Sequence, residues 1–192
     1  MKKILIGTHN KGKFKEISYL LPKKVKKISP IKLNISSPEE TGKTFAANSK
    51  LKAMYFSKFS KLPVISDDSG LCIKALGGKP GIHSARWAKK YGSFSKAMKL
   101  ILKKMKNKKD RTAVFVCSLS FKYPGGNMTT ITGQIKGLIS HKIIGSKGFG
   151  YDPIFIPHTE DVTFGQMSKT KKIQSDHRYI AFKKLRKKIK IL

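Results

Sequence analysis

Apolar and polar positions recur along the chain with periods that mark a succession of strands and helices. Lys3 to Gly7 carries Ile4, Leu5 and Ile6 in one run and reads as a first strand. Lys11 to Leu21 sets Phe14, Ile17, Leu20 and Leu21 on one side and reads as a helix. Pro22 to Leu33 is basic and weakly patterned, a second strand with its flanking loop. Thr44 stands as an N-cap before a helix from Phe45 to about Phe59. Pro63-Val64-Ile65 predicts a short buried strand that ends at Ser66-Asp67-Asp68-Ser69-Gly70-Leu71, where Gly70 permits a sharp turn. Leu71 to Leu76 is apolar, and Gly77-Gly78-Lys79-Pro80-Gly81 is a loop. Ser93 to Met105 is the clearest helix, with Phe94, Ala97, Met98, Ile101, Leu102 and Met105 on one stripe and lysines opposite. Thr112 to Tyr123 alternates, Pro124-Gly125-Gly126-Asn127 turns it, and Met128 to Gly137 returns as its partner. A Gly-rich loop leads from Gly145 into a strand ending at Pro157, and Lys169 to about Ile189 predicts one basic helix.

At 192 residues the chain is expected to fold as one domain, residues 1–192, with enough core to fold unaided. No apolar run approaches the ~18–20 residues that span a bilayer, and the apolar part of the first seven residues is too short for a signal peptide. Cys72 and Cys117 have no metal-ligand spacing and offer no disulfide framework, so a reduced, cytoplasmic protein without a membrane partner is expected.

Charge changes this picture only in part. The formal net charge is +32, which suggests a polyanionic partner. Arg86, Arg111, Arg178 and Arg186 are the only arginines among 42 basic residues, however, and recognition of bases and phosphates favours the planar fork of Arg. The lysines are spread along the whole chain, a pattern that reads mainly as drift in an AT-rich coding background. No specific nucleic-acid partner is expected.

The scarce acids carry more information. Only 10 residues are Asp or Glu, and Asp67 and Asp68 are adjacent. Neighbouring carboxylates repel unless a cation or proton stands by, which suits a Mg²⁺ site with one carboxylate acting on water; a solvated turn is the plainer reading. Glu39-Glu40 is a second doublet, which either complements the dipole of the helix that follows or completes a cation site with the first. Gly7-Thr8-His9-Asn10-Lys11-Gly12-Lys13 joins the first strand to the first helix and suits a phosphate, with Lys13 as the cation. Its spacing matches G-x-x-x-x-G-K, yet Phe14 replaces the Ser or Thr that a P-loop needs for Mg²⁺, so a true P-loop is excluded. Phe149-Gly150-Tyr151-Asp152 has the composition to set an aromatic ring against a base, with Asp152 at its rim. Lys172 and the pair His177-Arg178 lie five and six residues apart on the predicted last helix, on neighbouring sides, placed to converge on one polar ligand.

Taken in order, several of these motifs resemble one family. They are Thr8-x-Asn10-x-x-Lys13-x-x-Glu16, Glu39-Glu40-Thr41-Gly42, Ser66 to Leu71, Leu76 to Gly81, Ser84-Ala85-Arg86, Gly148 to Phe155 and the His177-Arg178 helix. Together they closely resemble the inosine/xanthosine triphosphate pyrophosphatase family over about residues 3–186. The resemblance implies a mixed α/β fold with a long curved central sheet flanked by helices, two lobes with an active-site cleft between them, and a homodimer. It implies Mg²⁺-dependent cleavage of dITP, ITP and XTP to the monophosphate and pyrophosphate. By motif position, Thr8, His9, Asn10, Lys11, Gly12 and Lys13 would hold the triphosphate, and Glu39 and Asp68 would bind Mg²⁺. Asp68 would also accept a proton, and Ser69 would contact substrate. Phe149, Gly150, Tyr151, Asp152, Lys172, His177 and Arg178 would form the base pocket.

The chain departs from the family pattern at Asp176, where Ser is usual, and at Lys74, His83 and His9. None of these touches the acidic motif. Two other readings remain, a pyrophosphatase for other modified nucleotides and a basic nucleic-acid-binding protein with steeply salt-dependent affinity.

Overall fold

The computed structural model describes residues 2–189. Six strands form one mixed sheet in the order β2-β1-β3-β4-β5-β6, with β1 Lys3–Gly7, β2 Lys26–Ile28, β3 Val64–Ile73, β4 Thr112–Lys122, β5 Met128–Ile139 and β6 Phe155–Pro157. The helices are α1 Lys11–Leu20, α2 Phe45–Ser60, α3 Ser84–Lys90, α4 Phe94–Lys104, α5 Lys169–Ile173 and α6 His177–Arg186. The α/β class and the hairpin partners follow the sequence pattern. The described residues group into two compact units, the first being 2–68, 117–133 and 178–189 and the second 69–116 and 134–177.

In the first unit β1 runs parallel to both neighbours, with Leu5, Ile6 and Gly7 opposite Val64, Ile65 and Ser66 of β3. Period-2 alternation then sorts the core into two clusters. Ile4, Ile6 and Ile65 pack with Ile17 of α1, with Cys117, Leu119 and Phe121 of β4, and with Ala181 and Leu185 of α6. Leu5 and Val64 pack with Phe56 of α2. Gly7 sits where the two strands close tightly, because a Cβ there would lie 2.1 Å from Ser66 Oγ and 2.6 Å from the Phe56 ring. In the second unit the stripe of α4 (Ala97, Met98, Ile101) packs on Leu71, Ile73, Ala113, Phe115, Phe155 and Phe164. The cap anticipated at Thr44 is present, accepting from the Ala47 N–H, and Ser93 caps α4 in the same way by accepting from the Lys96 N–H.

Two expectations are corrected. The Ser66–Leu71 motif is not a turn at the end of a strand, because β3 continues through it to Ile73. Its residues keep the strand period, and each face finds its own partners. The basic C-terminal segment is not one helix either: α5 ends at Ile173 and α6 begins at His177, so Lys172 and His177-Arg178 belong to different helices. The sequence reading also gave no helix over Ser84–Lys90.

Ile101 is fully buried while Lys99 on the same helix is exposed. Ile101→Ala is expected to lose about 2–5 kcal/mol of stability in denaturant unfolding, and Lys99→Ala less than about 0.5 kcal/mol.

Candidate active site

The parallel register of β1 and β3 ends the first strand beside Ser66, so the loop that follows Gly7 starts next to the Asp doublet. Asn10 caps α1, its side-chain oxygen accepting from the Lys13 N–H (3.0 Å), while Thr8 Oγ1 accepts from the Asn10 N–H (3.2 Å). His9 donates from Nε2 to the Ile35 carbonyl (3.0 Å), tying the loop to the segment after β2. Thr8, His9 and Lys11 line a recess of about 300 Å³ that Phe14 and Lys15 share. Gly12 lies in the first helical turn, and Lys13 faces away from that recess, toward Asp67.

Adjacent strand residues point to opposite faces, and the doublet is divided accordingly. Asp67 shares a face with Ile65 and meets α1 and α6. Its Oδ2 lies 3.1 Å from Lys13 Nζ and 3.4 Å from Arg178 Nη2, and Arg178 Nη1 pairs with Glu16. Burial pushes the Asp67 carboxyl up, but Lys13, Arg178 and Lys52 outweigh it and hold it well below the usual carboxylate range. Two carboxylates and two cations balance on this side.

Asp68 shares a face with Val64 and meets α2. Asn48 Nδ2 donates to its Oδ2 (3.0 Å), and Lys52 Nζ stands 3.9 Å from its Oδ1 while pairing with Glu40. Burial, with help from Glu40, raises the proton affinity of Asp68 above the ordinary carboxylate value, against the pull of Lys52, Lys13 and Asn48. Burial also lowers the Lys52 ammonium, but Asp67, Asp68 and Glu40 more than reverse this and keep it above the ordinary lysine range. Lys52 therefore stands between Asp68 and Glu40, pairing with the second and lying close to the first. Glu39 is exposed beside them.

That donor set fits a divalent cation of the hard, oxygen-seeking kind. Among the described residues no three His, Cys, Asp or Glu side chains gather into an all-protein metal cage. Mg²⁺ does not require one, because it is commonly held by one or two carboxylates together with substrate phosphates.

In the second unit, Asp152 is 3% exposed and accepts from Lys172 Nζ (2.7 Å) and from the Phe149 N–H (2.8 Å). Lys172 Nζ lies 4.7 Å from the Phe149 ring centroid and 5.7 Å from that of Phe164, within cation–π range. Phe149 is half-buried. Tyr151 belongs to the core: its ring meets Phe94 edge-on at 5.2 Å, and its hydroxyl donates to the Ser84 carbonyl (3.0 Å). Burial and the neighbouring Tyr91 push that phenol well above its ordinary value. His177 stacks on Phe115, with ring centroids 4.8 Å apart. Gly148 has φ +74°, and a Cβ there would strike Asp152 Oδ2 at 2.1 Å, so only glycine fits. Gly150 also has positive φ, and Ser69 follows the doublet on β3, half-buried. Lys172 and Arg178, expected to meet one ligand, have separate carboxylates, Asp152 for one and Glu16 with Asp67 for the other.

A family model described as the Ham1 family matches residues 4–188. The chain belongs to the Ham1 family. This Ham1-family chain is 40% identical to the dITP/XTP pyrophosphatase of Caulobacter vibrioides, covering 96% of each protein. It is 43% identical to the dITP/XTP pyrophosphatase of Oceanobacillus iheyensis, covering 97% of this chain and 98% of that one. Among solved structures, the Staphylococcus aureus Ham1 protein superposes with a TM-score of 0.86 at 37% identity, covering 97% of each chain.

Sequence reasoning missed Asn48 and Lys52. Both lie on the face of α2 that also buries Ala53 and Phe56, and both are buried themselves. A polar pair four residues apart on an otherwise buried helix face was the available signal.

Lys172 and Asp152 are a buried pair at 3% exposure each. Lys172→Met is expected to cost about 3–5 kcal/mol in urea unfolding, and Lys172→Met with Asp152→Asn less than the two single changes together.

Proposed function

We propose that this protein hydrolyses the noncanonical purine nucleoside triphosphates dITP, ITP and XTP to the monophosphate and pyrophosphate, removing them from the nucleotide pool. The observation that carries the reading is the division of the Asp doublet. Asp67 is neutralised by Lys13 and Arg178, whereas Asp68, the next residue of β3, turns to the other face and is held by Asn48 beside Lys52 and Glu40. Full-length similarity to relatives named dITP/XTP pyrophosphatase supports the choice of substrate.

In the reaction, water attacks the α-phosphorus, a new P–O bond forms, and the bond to the bridging α–β oxygen breaks with pyrophosphate leaving. Asp68 takes the proton of that water. Asn48 fixes the carboxylate for this role by donating to Oδ2. Lys13 and the capped loop from Thr8 to Gly12 bind the phosphates, and Ser69 contacts substrate next to the base. Lys52 remains protonated and offsets charge on the triphosphate side of Asp68. Asp68 and Glu39 would hold Mg²⁺, because Glu40 is already engaged by Lys52; what the ion supplies is neutralisation of phosphate charge.

Base selection rests on Phe149, Gly150, Tyr151, Asp152, Lys172 and His177. The Lys172 ammonium is a donor with no accepting capacity. The 6-oxygen of hypoxanthine or xanthine can accept from it, whereas the 6-amino group of adenine leaves two donors facing each other. A buried donor left unpaired rejects the wrong substrate more strongly than a missing apolar contact does. Tyr151, packed in the core, holds the loop in place instead of stacking on a base. The reading includes a single catalytic domain over 1–192 and a homodimer acting in the cytoplasm; sedimentation and cell fractionation check the last two.

Purified protein with Mg²⁺ is expected to release pyrophosphate from ITP, dITP and XTP at least about a hundredfold faster, in kcat/KM, than from ATP. Chelation by EDTA should stop turnover and added Mg²⁺ should restore it. Release of single phosphates, or equal rates on ATP, would overturn the assignment.

A further inference from the structure

We infer that Glu16 is a positioning residue for Lys13, acting through Arg178 and Asp67. The inference rests on the reading above that Lys13 meets the substrate's phosphates. Lys13 and Glu16 are three residues apart on α1 and therefore on the same face. The two ends of one relay thus come from a single helix, and the middle comes from β3 and α6.

The geometry makes the relay competitive. One oxygen, Asp67 Oδ2, serves both Lys13 Nζ (3.1 Å) and Arg178 Nη2 (3.4 Å). Asp67 and Arg178 are fully buried at 0% and 1% exposure, and Glu16 is 6% exposed. A guanidinium cannot shed its charge in a protein and prefers a carboxylate held through two parallel bonds. Glu16 occupies Nη1 and so restrains Arg178 from turning fully onto Asp67. Without the Glu16 charge, Lys13 and Arg178 compete for Asp67 Oδ2. Arg178 is enclosed, while the Lys13 side chain is 14% exposed and able to swing into water. Lys13 would therefore be the cation released, and the preorganisation that aids phosphate binding would be lost.

The test compares wild type, Glu16→Gln and Glu16→Asp, each with and without Lys13→Met. Readouts are kcat and KM on ITP, calorimetric binding of inorganic tripolyphosphate, and thermal unfolding. Glu16→Gln is expected to raise KM and the tripolyphosphate Kd about tenfold, with kcat changed less than about threefold, and Glu16→Asp to recover part of the loss. In the Lys13→Met background Glu16→Gln should add less than about a twofold effect, because the group it positions is gone. Should Glu16→Gln fail to fold, Glu16→Gln with Arg178→Met removes the competing guanidinium and should restore tripolyphosphate binding to within about threefold of wild type. A lowered Tm with unchanged Kd, a full tenfold loss in the Lys13→Met background, or no recovery in the Arg178→Met double variant would each overturn the inference. Tripolyphosphate binding is read without turnover. A wild-type protein that shows this coupling yet does not cleave ITP would refute the proposed reaction and leave the relay standing.

Discussion

Two neighbouring carboxylates in the middle of a buried strand carry a desolvation cost of several kcal/mol each, and each must find its compensation within hydrogen-bonding reach. The strand period decides how they do so. Asp67 and Asp68 leave β3 in opposite directions and are served by different helices, α1 and α6 for the first and α2 for the second. The placement of Lys13, Asn48, Lys52 and Arg178, and of Glu16 behind Arg178, follows from that division.

The two sides are compensated by different partners. Around Asp67 the cations Lys13 and Arg178 outweigh burial and keep the carboxylate ionised. Around Asp68 burial and Glu40 outweigh Lys52, Lys13 and Asn48, and the proton affinity rises. In the proposed reaction the first face would hold a phosphate-binding cation in place, and the second would hold the metal and take the proton. Around Asp152, Lys172 and the Phe149 amide both donate to Oδ2, and Gly148 makes room for it.

Much of this was legible in the sequence. The apolar stripe of α4, the alternation of β4 and the cap at Thr44 gave the elements, and the order of the acidic and Gly-rich motifs pointed to the family and through it to the α/β class. The Asp doublet was misread as a turn, because Ser, Asp and Gly are ordinary turn residues and only the surrounding ion pairs make them tolerable inside a strand. The helix break at 174–176 was missed because no Gly or Pro marks it. Lys52 was hidden among many surface lysines: in a chain of net charge +32, the one lysine that faces inward toward Asp68 looks in sequence like all the others. The pairing of Arg178 with Glu16 joins residues 162 positions apart, which no local pattern encodes.

In the proposed reaction the doublet divides its labour, with Asp68 facing the substrate and Asp67 holding Lys13. A crystal structure with Mg²⁺ and a non-hydrolysable ITP analogue is the decisive measurement. The metal is expected on Asp68, the phosphates against Lys13, and Asp67 still bonded to Lys13 and Arg178. A metal ligated by Asp67, with Asp68 turned away from the nucleotide, would contradict that division.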